Sequence, residues 1–534
     1  MEKPGGKTWM KSAVLLSLAA LFVKGLSALY KIPYQNITGD TGFYVYQQVY
    51  PLYGAAFVIS TYGFPLVIAK WTAHETRLSV ESSARLRFMF LLLIFLHSAV
   101  AALLIGFSPF LAAMMGDPEL TVPLRWIGLP FLFIPFLAFG RGWFQGRGHT
   151  APAALSQVFE QIVRVTVILF IAGLVMTLSG NPYTAGISAG AGALAGSAGG
   201  TVYLFWKYSR DPNAVTLNPF KETERPLIPR TWRADLSRFF KAGFYVSISA
   251  MALILFQIMD ALMIVPALTS SGMSSSEAGA LKGIYDRSWP LIQFGAVVTT
   301  VFSYAAVPSV TRAYESGDAQ SVKKETSRAL KLCIVFGSAA AAGMMAVMPT
   351  LNPMMFTDQN GTLILIMMAS IVLTGAVFMT AAALLHAVGR AETAAKHLVI
   401  VLVLKAMATY AATAVAGLPG AAGVSVAGFI LLACSAGRTL WRAGWLESPR
   451  FETVWRLGAA LAGTTGFAAL FQSTVLVFFP EERAVMTVAA LGASIAGAVL
   501  FIVMIWRLRV FTEEEWDDLP KLGSALPYPQ KDEV

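Results

Sequence analysis

Two lysines, Lys24 and Lys31, lie seven residues apart in the apolar opening stretch VKGLSALYKIPY, about two helical turns and so roughly on one face. A second group, Lys282, Asp286 and Arg287, sits in LKGIYDRSWP. A charge at bilayer depth costs about 3 kcal/mol even on lenient insertion scales, so it lines a polar cavity or pairs. Cations outnumber carboxylates inside the apolar runs, and that surplus suits an anionic ligand such as a phosphate or diphosphate. The plainer alternative is that these residues satisfy helix ends and neighbouring carboxylates.

Other intramembrane charges read differently. Glu160 and Arg164 stand one turn apart and predict an internal ion pair rather than a ligand contact. Lys405 is deep in its run with no local acid, so it lines a cavity or pairs with Asp260. Asp260 is the candidate for a coupling ion, Na+ or H+, although Lys405 would neutralise it equally well. Arg125 and Arg483 fall near span ends and can snorkel. The row Tyr44, Tyr46, Gln47, Gln48 and Tyr50 could wall a sugar path, while interfacial anchoring explains the tyrosines as well.

No catalytic set accompanies these residues. The five histidines are scattered, and Cys333 and Cys434 allow no disulfide framework or metal site. With no Walker motif, transport would draw on an ion gradient, the membrane potential or substrate flux. The expectation is a protein that is not an enzyme and carries no cofactor.

The elements that hold these groups follow from composition. The chain has 534 residues, 56% hydrophobic and 13% charged, against about 25% charged in soluble domains. Mean hydropathy is +0.63, and apolar runs of spanning length recur from end to end, so the fold class is all-α and polytopic. The first run, near Thr8, lacks a small-residue cleavage site and reads as a retained helix. All but eight of the 40 Lys and Arg fall at one alternating set of positions, among them Arg141 and Arg147, whereas the intervening loops carry Asp117, Glu119, Glu277, Asp358, Glu481 and Glu482. That positive-inside pattern predicts a cytoplasmic-membrane protein with both termini cytoplasmic, and it assigns the net charge of +10 to topology rather than nucleic acid.

Fourteen spans fit this assignment, near 8–32, 42–70, 87–110, 122–146, 152–178, 183–206, 238–267, 279–311, 327–349, 361–388, 394–416, 419–440, 454–478 and 483–508. The first two are joined by a polar turn at Asn36 to Gly42, and the split near Gly417 rests on LPG alone. They group into a six-helix lobe (1–208), a basic linker (209–237), a second six-helix lobe (238–442), two further helices (443–510) and a cytoplasmic tail (511–534). The linker's charge predicts contact with anionic lipid headgroups. TYGFPLVIAKW at Thr61 and SYAAVPSVTRAY at Ser303 share a Pro, a basic and an aromatic residue in order, a weak internal repeat suited to alternating access. Gly192, Gly196 and Gly200, four apart, predict close helix contact.

The run KIPYQNITGDTGFYVYQQVYPLYG, with GFP after it and YDR at Tyr285 to Arg287, resembles the stage V sporulation protein B-like group of polysaccharide-biosynthesis transporters. That group belongs to the multidrug/oligosaccharidyl-lipid/polysaccharide exporter superfamily, which also contains the lipid II flippases. The resemblance implies two pseudosymmetric six-helix lobes plus two C-terminal helices. In the flippases, arginines on the first and eighth helices hold the lipid-linked diphosphate. Lys24 falls at the first-helix arginine and Arg287, after Asp286, at the eighth-helix Asp-Arg; a further first-helix arginine aligns to Tyr30, one place before Lys31. Lysine in place of arginine loses the bidentate fork.

The expected function is translocation of an undecaprenyl-diphosphate-linked oligosaccharide or peptidoglycan precursor, in cell-wall or spore-envelope synthesis. Lys24, Lys31 and Arg287 would hold the diphosphate, Asp286 would orient Arg287, and Tyr44, Gln47 and Gln48 would face the sugars. The alternatives are cation-coupled multidrug export, for which this cavity is too cationic, and a non-transporting scaffold for envelope synthesis, which has no use for buried cations.

Overall fold

The computed structural model describes residues 6–59, 64–73, 80–211, 245, 247–448, 450–479, 482–517, 519 and 526–529. Every regular element among the described residues is helical, and nine stretches of them are long and apolar enough to cross a membrane. The expected linker, from residue 212 on, and residues 61–63 of the first repeat motif lie outside the described residues. By packing, the chain divides into two compact units, Met1–Asp286 with Leu402–Gly417, and Arg287–Val401 with Leu418–Val534.

In the first unit, α1 (Gly6–Leu29) and α2 (Lys31–Val58) meet at Tyr30, which keeps helical torsions. The break between the first two expected spans is a single residue inside α2: Gly39, at φ 67° and ψ −175°, a conformation costly for any residue with a Cβ. There follow α3 (Phe64–Thr72), α4 (Val80–Gly106), α5 (Ser108–Met114), α6 (Thr121–Gly128) and α7 (Ile134–Gly146). The expected span 122–146 is interrupted by a 3-10 turn at Leu129–Leu132, where Pro130 and Pro135 withhold their backbone donors. Next come α8 (Thr150–Leu178) and α9 (Pro182–Ser209). Asn181 caps α9 by accepting from the backbone N–H groups of Tyr183 and Thr184, with Pro182 at the first helical position. The unit closes with α10 (Ala252–Ser270), α11 (Ser275–Asp286) and part of α16 (Ala391–Arg442), whose Gly417, at φ 60° and ψ −146°, breaks the helix where LPG predicts a split.

Small residues bring these helices into contact. A Cβ on Gly192 would stand 2.8 Å from the carbonyl oxygen of Arg164, and one on Gly196 would stand 2.7 Å from that of Glu160. The glycine stripe of α9 thus lies against the turn of α8 that carries both charges. In the same way a Cβ on Gly279 of α11 would stand 2.9 Å from the Tyr44 ring, and one on Gly283 would run into the backbone of Asp40.

The second unit contains α12 (Ser288–Glu315), α13 (Ala319–Phe356), α14 (Thr362–Ala369), α15 (Ile371–Ala387), α17 (Phe451–Phe478), α18 (Arg483–Arg507) and α19 (Glu513–Asp517), with the remainder of α16. Asp318 caps α13 by accepting from the Ser321 N–H at 3.0 Å. The residues after α18, expected as a tail, pack onto the unit. Trp516 and Leu519 bury against Val335 and Ile505, Glu514 and Glu515 pair with Lys324 and Lys331, and the Trp506 indole donates to the Pro527 carbonyl at 2.8 Å.

Gly283→Ala drives a methyl into the Asp40 carbonyl and is expected to destabilise by about 1–3 kcal/mol through overpacking. Gly25→Ala, with no atom within 4 Å, is expected to leave the melting temperature of the purified protein unchanged or slightly raised.

Candidate functional site

In the first unit the inner side of α2 carries a run of aromatic rings. Tyr34 and Tyr46 lie 4.8 Å apart centroid to centroid, Tyr46 and Tyr50 stack at 4.7 Å, and Tyr50, Tyr53 and Phe57 continue at 5.8 and 6.4 Å. The Tyr30 and Tyr46 hydroxyls are hydrogen-bonded. Cations ride on these rings: the Lys31 ammonium is 5.8 Å from the Tyr50 centroid, and the Arg164 guanidinium is 4.9 Å from Tyr53 and 4.8 Å from Phe57.

Three buried carboxylates organise the charges. Glu160 accepts from Arg164, as its one-turn spacing predicts, and also from Arg141 and from the Tyr53 hydroxyl at 2.9 Å. Tyr53 in turn reaches Ser197 of α9 at 3.0 Å, and the Arg141 Nε donates to Ser156 at 3.0 Å. Arg141, inside the expected span 122–146, lies within α7 and is 0% exposed. Its position inside the apolar helix IPFLAFGRGWFQG is the signal that marks it as buried.

Asp286 is gripped by Lys282, whose ammonium is 2.6 Å from both carboxylate oxygens. Lys31 and Asp260 lie within electrostatic reach of the same carboxylate. Asp260 accepts from the Lys405 ammonium on one oxygen and from the Tyr285 hydroxyl at 3.0 Å on the other. Of the two fates open to Lys405, the structure shows the ion pair. The four-residue spacing of Lys282 and Asp286 is the same signal that identifies Glu160–Arg164, so this pair was legible too.

The other predicted residues distribute as follows. Lys31 is 3% exposed, while Lys24 is half-buried on α1. Tyr44 is buried with its hydroxyl on Asp117 at 3.1 Å, a carboxylate shared with Tyr183 at 2.7 Å. Gln48 donates to the Ala261 carbonyl at 3.1 Å. Gln47 is 2% exposed, and among the described residues neither its amide nitrogen nor its oxygen has a hydrogen-bond partner. The structure therefore brings Lys31, Lys282, Asp286, Asp260 and Lys405 into one charged region, and leaves Tyr44 committed to the Asp117 loop.

Arg287 belongs to the second unit. It is buried, and the carboxylate that grips it is Asp358, through paired contacts at 2.8 Å. Asp358 pairs with Arg287, and Asp286 is held by Lys282. Burial alone would raise the Asp358 carboxyl, but hydrogen bonds from Arg287 and the Asn360 N–H outweigh it and hold the group below the usual carboxylate range. Its folded value is depressed, so it contributes stability above the unfolded value, 3.8, that is lost as pH falls through the folded one. No cluster among the described residues could hold a metal ion by His, Cys, Asp or Glu.

Glu160→Gln would leave Arg141 and Arg164 buried without their shared carboxylate. The expected cost is about 3–5 kcal/mol, measured as a drop in the melting temperature of the purified protein.

Against known proteins, residues 9–314 match the family described as polysaccharide biosynthesis protein. The sequence is 33% identical to the uncharacterized membrane protein YabM of Bacillus subtilis (strain 168), over 97% of this chain and 95% of that one. It is 23% identical to stage V sporulation protein B of the same bacterium, over 97% and 99% of the two chains. It is 22% identical to that bacterium's lipid II flippase MurJ, over 74% and 76%. A solved structure of the lipid II flippase MurJ in an inward closed conformation superposes with a TM-score of 0.64 at 12% identity, over 93% of this chain and 100% of that one, which establishes a shared fold.

Proposed function

We propose, because the chain belongs to the polysaccharide biosynthesis protein family, that it flips a lipid-linked oligosaccharide or peptidoglycan precursor across the cytoplasmic membrane. The chain is a multi-pass membrane transporter related to the lipid II flippase. The substrate class assigned here is an undecaprenyl-diphosphate-linked glycan, moved by alternating access from the inner to the outer leaflet, with both termini cytoplasmic.

One observation carries this reading: the charge balance of the first unit. Among the described residues, and apart from Arg87 near the start of α4 and Asp117 in its loop, its buried charged residues are Lys31, Arg141, Arg164, Lys282 and Lys405 against Glu160, Asp260 and Asp286. Buried like charges are costly, and an incoming diphosphate offsets a cationic surplus where a cationic drug would add to it. Lys31, against the Tyr50 ring and near Asp286, and Lys24 two turns before it would receive the diphosphate. Arg287 would serve the same chemistry from its own unit, releasing Asp358. Of the residues assigned to the sugars, Gln47 is the best supported, since a buried amide lacking partners is a group that sugar hydroxyls satisfy.

The test is leaflet exchange of defined lipid-diphosphate sugars by the purified chain in proteoliposomes. Lys24→Ala, Lys31→Ala and Arg287→Ala are each expected to slow exchange about tenfold or more, from the loss of one charge-assisted contact worth roughly 1.5–3 kcal/mol. Wild-type rates in all three variants would reject the diphosphate site. Wild-type protein inactive on every lipid-diphosphate sugar would reject the substrate class.

A further inference from the structure

The segment Leu402–Gly417 of α16 belongs to the first unit and carries Lys405, Thr409 and Thr413 at four-residue spacing, hence on one face. The Lys405 ammonium donates to Oδ1 of Asp260, while Oδ2 accepts from the Tyr285 hydroxyl at 3.0 Å. The Phe256 ring centroid lies 5.2 Å from the same ammonium, and Asp260 and Lys405 are fully enclosed. One and two turns further along that face, the Thr409 and Thr413 hydroxyls are buried and have no hydrogen-bond partner among the described residues.

A carboxylate and a phenol are hard oxygens, the donor chemistry of an alkali-cation site. Here the positive charge is supplied by the chain itself. We propose that Lys405 is a tethered cation filling this oxygen site, so that Asp260 is neutralised from within and the protein has no Na+ requirement. Both Asp260 oxygens are already engaged. Lys282 also stands within electrostatic reach of Lys405, so a metal cation entering the site would face two ammonium groups in a medium that screens them poorly. The inference goes beyond the substrate reading, because it concerns how Asp260 is neutralised whatever anion is carried.

The experiment reads cation binding with no lipid substrate, so its outcome is separate from that of the exchange assay. The melting temperature of the purified wild-type chain is expected to be the same in sodium chloride and choline chloride at equal ionic strength. Lys405→Ala vacates the site and is expected to gain a saturable, Na+-dependent rise of roughly 2 °C, which disappears when Asp260→Asn is added. A wild-type chain that gains a saturable Na+-specific rise, lost in Asp260→Asn, overturns the proposal, and so does a folded Lys405→Ala that gains none. If Lys405→Ala does not fold, Lys405→Gln takes its place. Binding of radioactive sodium to the wild type then decides alone: no saturable binding supports the tethered cation, and binding abolished by Asp260→Asn overturns it.

Discussion

A carboxylate enclosed among apolar helices must be met by donors from the chain, and in the first unit Glu160 and Asp260 each tie separate helices together. Glu160 of α8 joins Arg141 of α7 and Tyr53 of α2, and Asp260 of α10 joins Tyr285 of α11 and Lys405 of α16. Such pairs add little net stability over well-packed apolar residues, because desolvation consumes the Coulombic gain. They do specify arrangement, since any packing that separates the partners leaves a bare charge in a low-dielectric interior. The aromatic run on α2 supplements this by offering ring faces to Lys31 and Arg164.

Those meetings depend on how closely the helices approach. Charged side chains on neighbouring helices reach one another when the backbones are near, and the glycines of α9 and α11 sit where larger residues would hold them apart. The Gly192–Gly196–Gly200 stripe lies over the turn bearing Glu160 and Arg164, and Gly279 and Gly283 set α11 on α2, within reach of Lys31. Packing and electrostatics in this unit are therefore one constraint: small residues at fixed spacing let the ionic contacts form.

Local spacing carried much of this information in the sequence. The helical class, the break at Gly417, the glycine contact stripe and the Glu160–Arg164 pair follow from hydropathy, from the LPG break, or from residues four apart. Lys405 and Asp260, 145 positions apart, could be offered as a pair only as one of two options, because nothing local distinguishes a partner from a cavity. Loop counting, which predicts a topology, groups Arg141 with the basic residues of one side and leaves Asp358 and Asp117 as acidic loop residues. Asp358 holds Arg287 and Asp117 binds Tyr44. Charge counts average over residues, whereas a buried partner is a property of one residue and of the helix brought against it.

The residues that follow α18 show another side of the second unit. Glu514, Glu515, Trp516 and Pro527 make contacts to Lys324, Lys331, Val335 and Trp506, all of which precede them in the chain. The α13 end of this unit therefore keeps exposed lysines and an uncovered apolar surface until the polypeptide has been synthesised past residue 527. Completion of the unit is in this sense timed by translation, and a chain interrupted after α18 would display a face that Trp516, Leu519 and Tyr528 cover.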